Sequence, residues 1–179
     1  MIYVFLADGF EEVEALTPVD VLRRAELEVH TVGVTGKVVR GSHGIPVTCD
    51  ITEEQADPNG LEMIVLPGGM PGTLNLEKSQ VVQAFIAYAV ERGLPIGAIC
   101  AAPSILGHLG LLDGRTVTCF PGFETQLGDA HYTAGPCEVD GSLVTARGAG
   151  VAMEFALALV EKLKGSERAA LLRASLQCR

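Results

Sequence analysis

Tryptophan is absent from this 179-residue chain, and aromatic residues of all kinds make up only 5% of it. Basic residues are scarce: 13 Lys and Arg stand against 22 Asp and Glu, a formal net charge of −9. Nucleic-acid phosphates and anionic membrane surfaces are bound by clustered Lys and Arg, so this balance argues against both as partners. Steering of a small anion would have to be local. No apolar run reaches the ~18 residues that span a bilayer. The opening MIYVFLADGFEE is apolar but lacks a basic leader and soon meets acids, so it reads as a first strand and not as a signal peptide.

CxxC pairs are missing as well. Cys49, Cys100, Cys119, Cys137 and Cys178 are odd in number and widely scattered. That argues against a disulfide framework, and a reducing cytoplasm is the expected compartment. No metal site is expected either, because His30, His43, His108 and His131 have no ligand spacing.

What is present suits one domain, residues 1–179, with a substantial core: 48% of residues are hydrophobic and 20% charged. No repeat, low-complexity tract or linker divides it. Short apolar runs predict strands at 2–7, 29–34, 63–66, 96–99, 116–118 and 143–145. Several are apolar on both sides, the mark of a parallel sheet covered by helices on both faces. Between them, 11–25 reads as a helix with Val13, Leu16, Val19 and Leu22 as its apolar steps, kinked or irregular near Pro18. Ser79 caps a second helix that Gly93 ends, and a third runs 153–163 before Gly165 and Ser166 stop it and cap another. The segments 36–50 and 131–140 read as small hairpins off the main sheet. The pattern predicts an α/β, flavodoxin-like sandwich with right-handed crossovers.

In such sheets ligand sites gather beyond the carboxyl ends of the strands. Three of these ends carry unusual chemistry. The first leads through Asp8–Gly9 into Glu11, Glu12 and Glu14. The third ends in VLPGGM, where Gly68 and Gly69 permit close backbone approach. The fourth ends in Cys100 ahead of a small-residue segment, a nucleophile elbow in outline. A thiol at a strand-to-helix corner sits beside free N–H groups, which favour a thiolate. The N–H groups of Ala101 and Gly69 could hold an oxyanion. Spacing alone leaves Glu11, Glu12 and Glu14 as alternatives for an inward-facing acid. Glu14 flanks the Val13/Leu16 face and is the one the pattern favours for burial; Glu11 and Glu12 read as ordinary first-turn acids. The four other cysteines read as small buried hydrophobes, with Cys119 of interest because its strand should end on the same edge. His43, in the hairpin, is a further candidate for a position near the site.

The stretches LADGFEEVEALTPVDVLRRA, IVLPGGMPG, AICAAPSIL and TARGAGVAMEFALALVE, in this order over 2–163, resemble the ThiJ/PfpI superfamily, in the branch of the Parkinsonism-associated deglycase and its bacterial relatives. The resemblance implies that Cys100 is the oxidation-sensitive nucleophile, Glu14 its carboxylic acid partner, and Gly69 and Ala101 the backbone donors. It implies a homodimer that uses no metal or organic cofactor. The activities it implies are glutathione-independent conversion of 2-oxoaldehydes such as methylglyoxal to hydroxy acids and reversal of early glycation. An oxidative-stress sensor or redox-regulated chaperone acting through Cys100 is the alternative. Three departures stand out. Ala101 replaces the His that follows the nucleophile in the protease-like branch, which weakens a peptidase reading. Phe120 stands where some nearer relatives carry a helper His, and Ala149 stands where relatives often have Pro.

Overall fold

Strand β1 (Ile2–Leu6) is fully buried and explains the doubly apolar pattern. Ile2, Val4 and Leu6 face one hydrophobic cluster, and Tyr3 and Phe5 face another, because successive side chains point to opposite sides of a strand. Such a strand belongs at the centre of a sheet sandwiched between helices. The computed structural model, which describes residues 1–178, has this arrangement.

After β1 come α1 (Glu12–Arg24), β2 (Val29–Gly33), the hairpin β3 (Val38–Arg40) and β4 (Pro46–Thr48), and β5 (Ile51–Thr52). Next are β6 (Met63–Leu66), α2 (Gly72–Lys78), α3 (Gln80–Arg92), β7 (Ile96–Ile99) and α4 (Pro103–His108). The chain continues through β8 (Thr116–Val117), β9 (His131–Tyr132), β10 (Cys137–Asp140), β11 (Leu143–Ala146) and α5 (Ala152–Ser175). Seven strands form the main sheet in the order β10–β11–β7–β6–β1–β2–β5, and only the β10–β11 pair is antiparallel. Helices α1 and α5 cover one face, and α3 and α4 the other. The fold is a flavodoxin-like α/β sandwich.

Helix α3 begins where Ser79 accepts a hydrogen bond from the Val82 N–H and ends at Gly93 in the left-handed conformation. Helix α5 is broken at Gly165, whose φ of 83° lies outside the helical range. The β3–β4 hairpin also forms where the sequence predicts it.

Four details differ from the sequence reading. Residues 116–118 do not join the main sheet. The Thr118 and Thr116 N–H groups go to the Thr145 and Asp140 side chains, at 3.0 and 2.8 Å, and β8 pairs only with β9. Residues 131–140 are therefore not a hairpin: β9 joins β8, and β10 becomes the edge of the main sheet. In α1 the buried stripe is Glu14, Ala15, Pro18, Val19, Val21 and Leu22, while Val13 and Leu16 are 49% and 37% exposed. A strict three-residue step drifts around a helix; the buried face follows steps of three and four. Finally, α1 runs through Pro18 as one helix.

Candidate active site

Strands β7, β6 and β1 are neighbours, so their carboxyl ends bring Cys100, Gly68–Gly69 and the start of α1 together on one edge. The loops after β1 and β6 interlock. The Glu11 N–H donates to Gly68 O at 2.9 Å, and a Cβ on Gly69 (φ 90°) would lie 2.6 Å from Gly9 O. Glycine is required at 69 on both counts.

Cys100 occupies the turn after β7 with φ 65°, a region costly for a residue with a side chain. Its flanks over-determine that conformation. The Cys100 N–H donates to Ala146 O, and its carbonyl accepts from the Phe120 N–H, each at 2.8 Å. Its side chain stays half-buried beside the Glu14 carboxyl, which acts on the titration of its thiol. The backbone N–H groups of Gly69 and Ala101 lie close enough to this sulfur to oppose the rise in its pKa.

Glu14 is 1% exposed. Its Oε2 accepts the Gly68 N–H at 3.0 Å, and the Ala149 backbone N–H lies close enough to lower its pKa slightly. Burial is the main reason its pKa rises from 4.5 to about 7; the Cys100 hydrogen bond pulls the other way, and the charge of Glu11 adds to the rise.

Cys100 runs against the sequence expectation of a stabilised thiolate. Burial, then the Glu14 charge and hydrogen bond, push its thiol from 9.0 up to about 12, against the two N–H donors. The helix behind it is short, and Ala101 and Ala102 separate it from the sulfur, so little helix dipole reaches the thiol. What the site offers at neutral pH is a thiol beside a carboxyl that can take its proton.

Glu12 is not an ordinary first-turn acid. It is 6% exposed and anchors the β3–β4 hairpin: Oε1 accepts the His43 N–H at 2.9 Å, and Oε2 meets His43 Nδ1 at 3.0 Å. Burial alone would raise its pKa, but the hydrogen bonds from the His43 side chain and from backbone N–H groups together hold it below the usual carboxylate range. His43 is exposed, and Glu12's hydrogen bond, then the charges of Glu11 and Glu12, raise its pKa. Glu11, Glu12 and His43 bring ligand atoms within 4.8 Å of one another, so they are the residues here whose geometry could admit a cation. The Glu12 oxygens are already engaged in holding the hairpin.

Of the remaining cysteines, Cys119 is fully buried, its Sγ 3.4 Å from Phe120 O, and Cys49 is 1% exposed. Cys137 and Cys178 are half-buried. Burial pushes the Cys49, Cys119 and Cys137 thiols up to about 11, so a raised pKa does not distinguish them from Cys100. The buried Glu14 carboxyl beside the half-exposed Cys100 does. The sequence reading missed Ala149 as a donor to Glu14, although its departure from the family's proline marked the position.

The chain as a whole is similar to known proteins. A model of the DJ-1/PfpI family matches residues 1–162. The chain belongs to this family. It is 39% identical over 178 residues to the Parkinson disease protein 7 homolog of Danio rerio, covering 97% of this chain and 94% of that one. Similarity to the glutathione-independent glyoxalase DJR-1.2 of Caenorhabditis elegans is 32% over 160 residues, covering 88% and 85%. Protein DJ-1 homolog B of Arabidopsis thaliana is 37% identical over 169 residues, 93% of this chain, but the match spans only 39% of that longer protein. Among solved structures, oxidised Toxoplasma gondii DJ-1 superposes with a TM-score of 0.94 at 34% identity, covering 98% and 97% of the two chains. No described helix is long and apolar enough to cross a membrane.

Proposed function

We propose that the protein is a cysteine-dependent enzyme that converts 2-oxoaldehydes, methylglyoxal among them, to 2-hydroxy acids without glutathione or another cofactor. The observation that carries this reading is the buried Glu14 carboxyl placed beside the half-exposed Cys100 thiol on its elbow, with both within reach of the same Gly68 position. A relative named as a glutathione-independent glyoxalase supports it.

The chemistry follows from the raised pKa values. As Cys100 Sγ bonds to the aldehyde carbon, its proton passes to the Glu14 carboxylate, and the oxyanion accepts hydrogen bonds from Gly69 and Ala101 N–H. Protonation of that oxygen gives a hemithioacetal. Glu14 then removes the proton from the former aldehyde carbon and returns it to the neighbouring carbonyl carbon, leaving a thioester of the 2-hydroxy acid. Water hydrolyses the thioester and regenerates the thiol. In a glycated amine or thiol the same carbon is already saturated, so Cys100 Sγ would displace the amine or thiol from it, the thiol proton passing through Glu14 to the leaving group, and give the same hemithioacetal.

Oxidation of Cys100 by peroxide to a sulfinate held by Glu14 and the same donors is the second reading. Both readings draw on the same pair, because attack on an aldehyde and attack on peroxide each need the Cys100 proton to leave, with Glu14 as its acceptor. A homodimer is part of the proposal: Val13 and Leu16 on α1, with Ile45 of the neighbouring hairpin, leave an apolar surface beside the site. A monomer by light scattering would remove that part alone.

Lactate formation from methylglyoxal without glutathione tests the reading. Catalytic lactate from the wild type and none from Cys100→Ser is expected. Consumption of one equivalent of peroxide with no lactate would replace the enzyme with the sensor.

A further inference from the structure

Phe120 is 48% exposed, yet it is held in place. Its ring lies against Gly148, where a Cβ would come 3.3 Å from Cδ2. It walls a cavity of about 420 Å³ with Pro121, Arg147, Gly148, Ala149 and Val151. Two members of that wall touch the reacting pair directly. The Phe120 N–H donates to Cys100 O at 2.8 Å, and the Ala149 backbone N–H is close enough to the Glu14 carboxyl to act on its titration. Through these two residues the cavity adjoins the turn that carries Cys100.

The wall is mostly apolar. Its one charged group, Arg147, donates through Nη1 to Ala134 O at 3.2 Å and forms no ion pair among the described residues. A planar guanidinium adds a flat surface on which a ring can stack. A methyl substituent would leave most of such a space to water, whereas an aromatic substituent would pack edge-to-face or offset against Phe120.

Resting on the glyoxalase reading, we infer that Phe120 is a specificity-determining residue, and that the cavity it walls selects 2-oxoaldehydes bearing an aromatic substituent over methylglyoxal. The reaction is unchanged: one aldehyde hydrogen moves to the neighbouring carbon, water is added, and phenylglyoxal becomes mandelate.

The test measures kcat/KM for phenylglyoxal and methylglyoxal, without glutathione, in wild type, Phe120→Ala and Phe120→Tyr. Wild type should favour phenylglyoxal about tenfold, a preference of the size one well-filled apolar pocket provides. In Phe120→Ala the ratio of the two kcat/KM values should fall about tenfold, mostly through KM, and Phe120→Tyr should restore it. General damage to the fold lowers both substrates and leaves the ratio alone. Turnover of both substrates with the ratio unmoved in Phe120→Ala overturns this inference and leaves the glyoxalase reading standing. Formation of neither hydroxy acid by wild type overturns both.

Discussion

Glu14 and Cys100 meet across a gap that only glycine leaves open: a Cβ on Gly68 would lie 2.6 Å from Glu14 Oε2 and equally close to Cys100 Cβ. The glycine does more than turn the chain. Its missing side chain is the space in which acid and thiol approach one another, and its N–H holds the acid from behind.

Gly68→Ala should therefore be a folded but crippled protein. Displacement of either side chain by about an ångström costs on the order of 100-fold in kcat/KM, and overpacking costs about 1–3 kcal/mol of stability. Kinetics with a thermal melt checks both. Near-wild-type turnover would mean that the pair tolerates separation.

Burial of the Glu14 carboxyl should cost stability at neutral pH. Its pKa is raised in the fold, from 4.5 to about 7, so its favourable contribution is complete below about 4.5 and lost as pH rises through about 7. Glu14→Gln, which keeps an oxygen for the Gly68 N–H, should be more stable than wild type above about pH 7, by up to about 3 kcal/mol. The difference should vanish below about pH 4.5. Denaturant melts at several pH values measure it, and a constant difference would contradict the raised pKa.

Much of this site was legible in the sequence. The strand ends carrying Cys100, Gly68–Gly69 and the acids could be placed on one edge because apolar runs marked the parallel strands. Choosing Glu14 needed the family resemblance, since the Val13/Leu16 face that seemed to bury it is itself exposed. The role of Glu12 was illegible because its partner, the His43 hairpin, lies 31 residues away and is joined through backbone N–H groups that carry no side-chain signature. The raised thiol was illegible for a related reason. A corner motif announces free N–H donors but not the burial and the carboxylate that outweigh them.

Ala149 carries a backbone N–H near the Glu14 carboxyl that proline would lack. Ala149→Pro is compatible with the extended Gly148 before it. Loss of a donor to the carboxylate should raise the Glu14 pKa further and move the rising limb of kcat/KM against pH, expected at about 7 in wild type, to higher pH. An unmoved profile would mean that this N–H does not act on the carboxylate that limits the rate.

Removal of the charge in Glu12→Gln should loosen the hairpin. The His43 amide should exchange faster with solvent, and the His43 pKa should fall toward its ordinary 6.5, since Glu12 supplies the largest part of the rise. A raised histidine contributes stability below its unfolded pKa and loses it as pH rises through the folded value. Hairpin protection in wild type should thus weaken with rising pH, and this dependence should flatten in the variant. Nuclear magnetic resonance follows both quantities; an unchanged His43 titration would contradict the anchor.

The most direct test of the central claim, that Cys100 and Glu14 act as one catalytic unit, is a double-mutant cycle on lactate formation from methylglyoxal. Kcat/KM is measured for wild type, Cys100→Ser, Glu14→Gln and the double variant. If the pair is a unit, either single change abolishes nearly as much activity as both together. Glu14→Gln turning over like wild type, or losses that simply multiply, would contradict it.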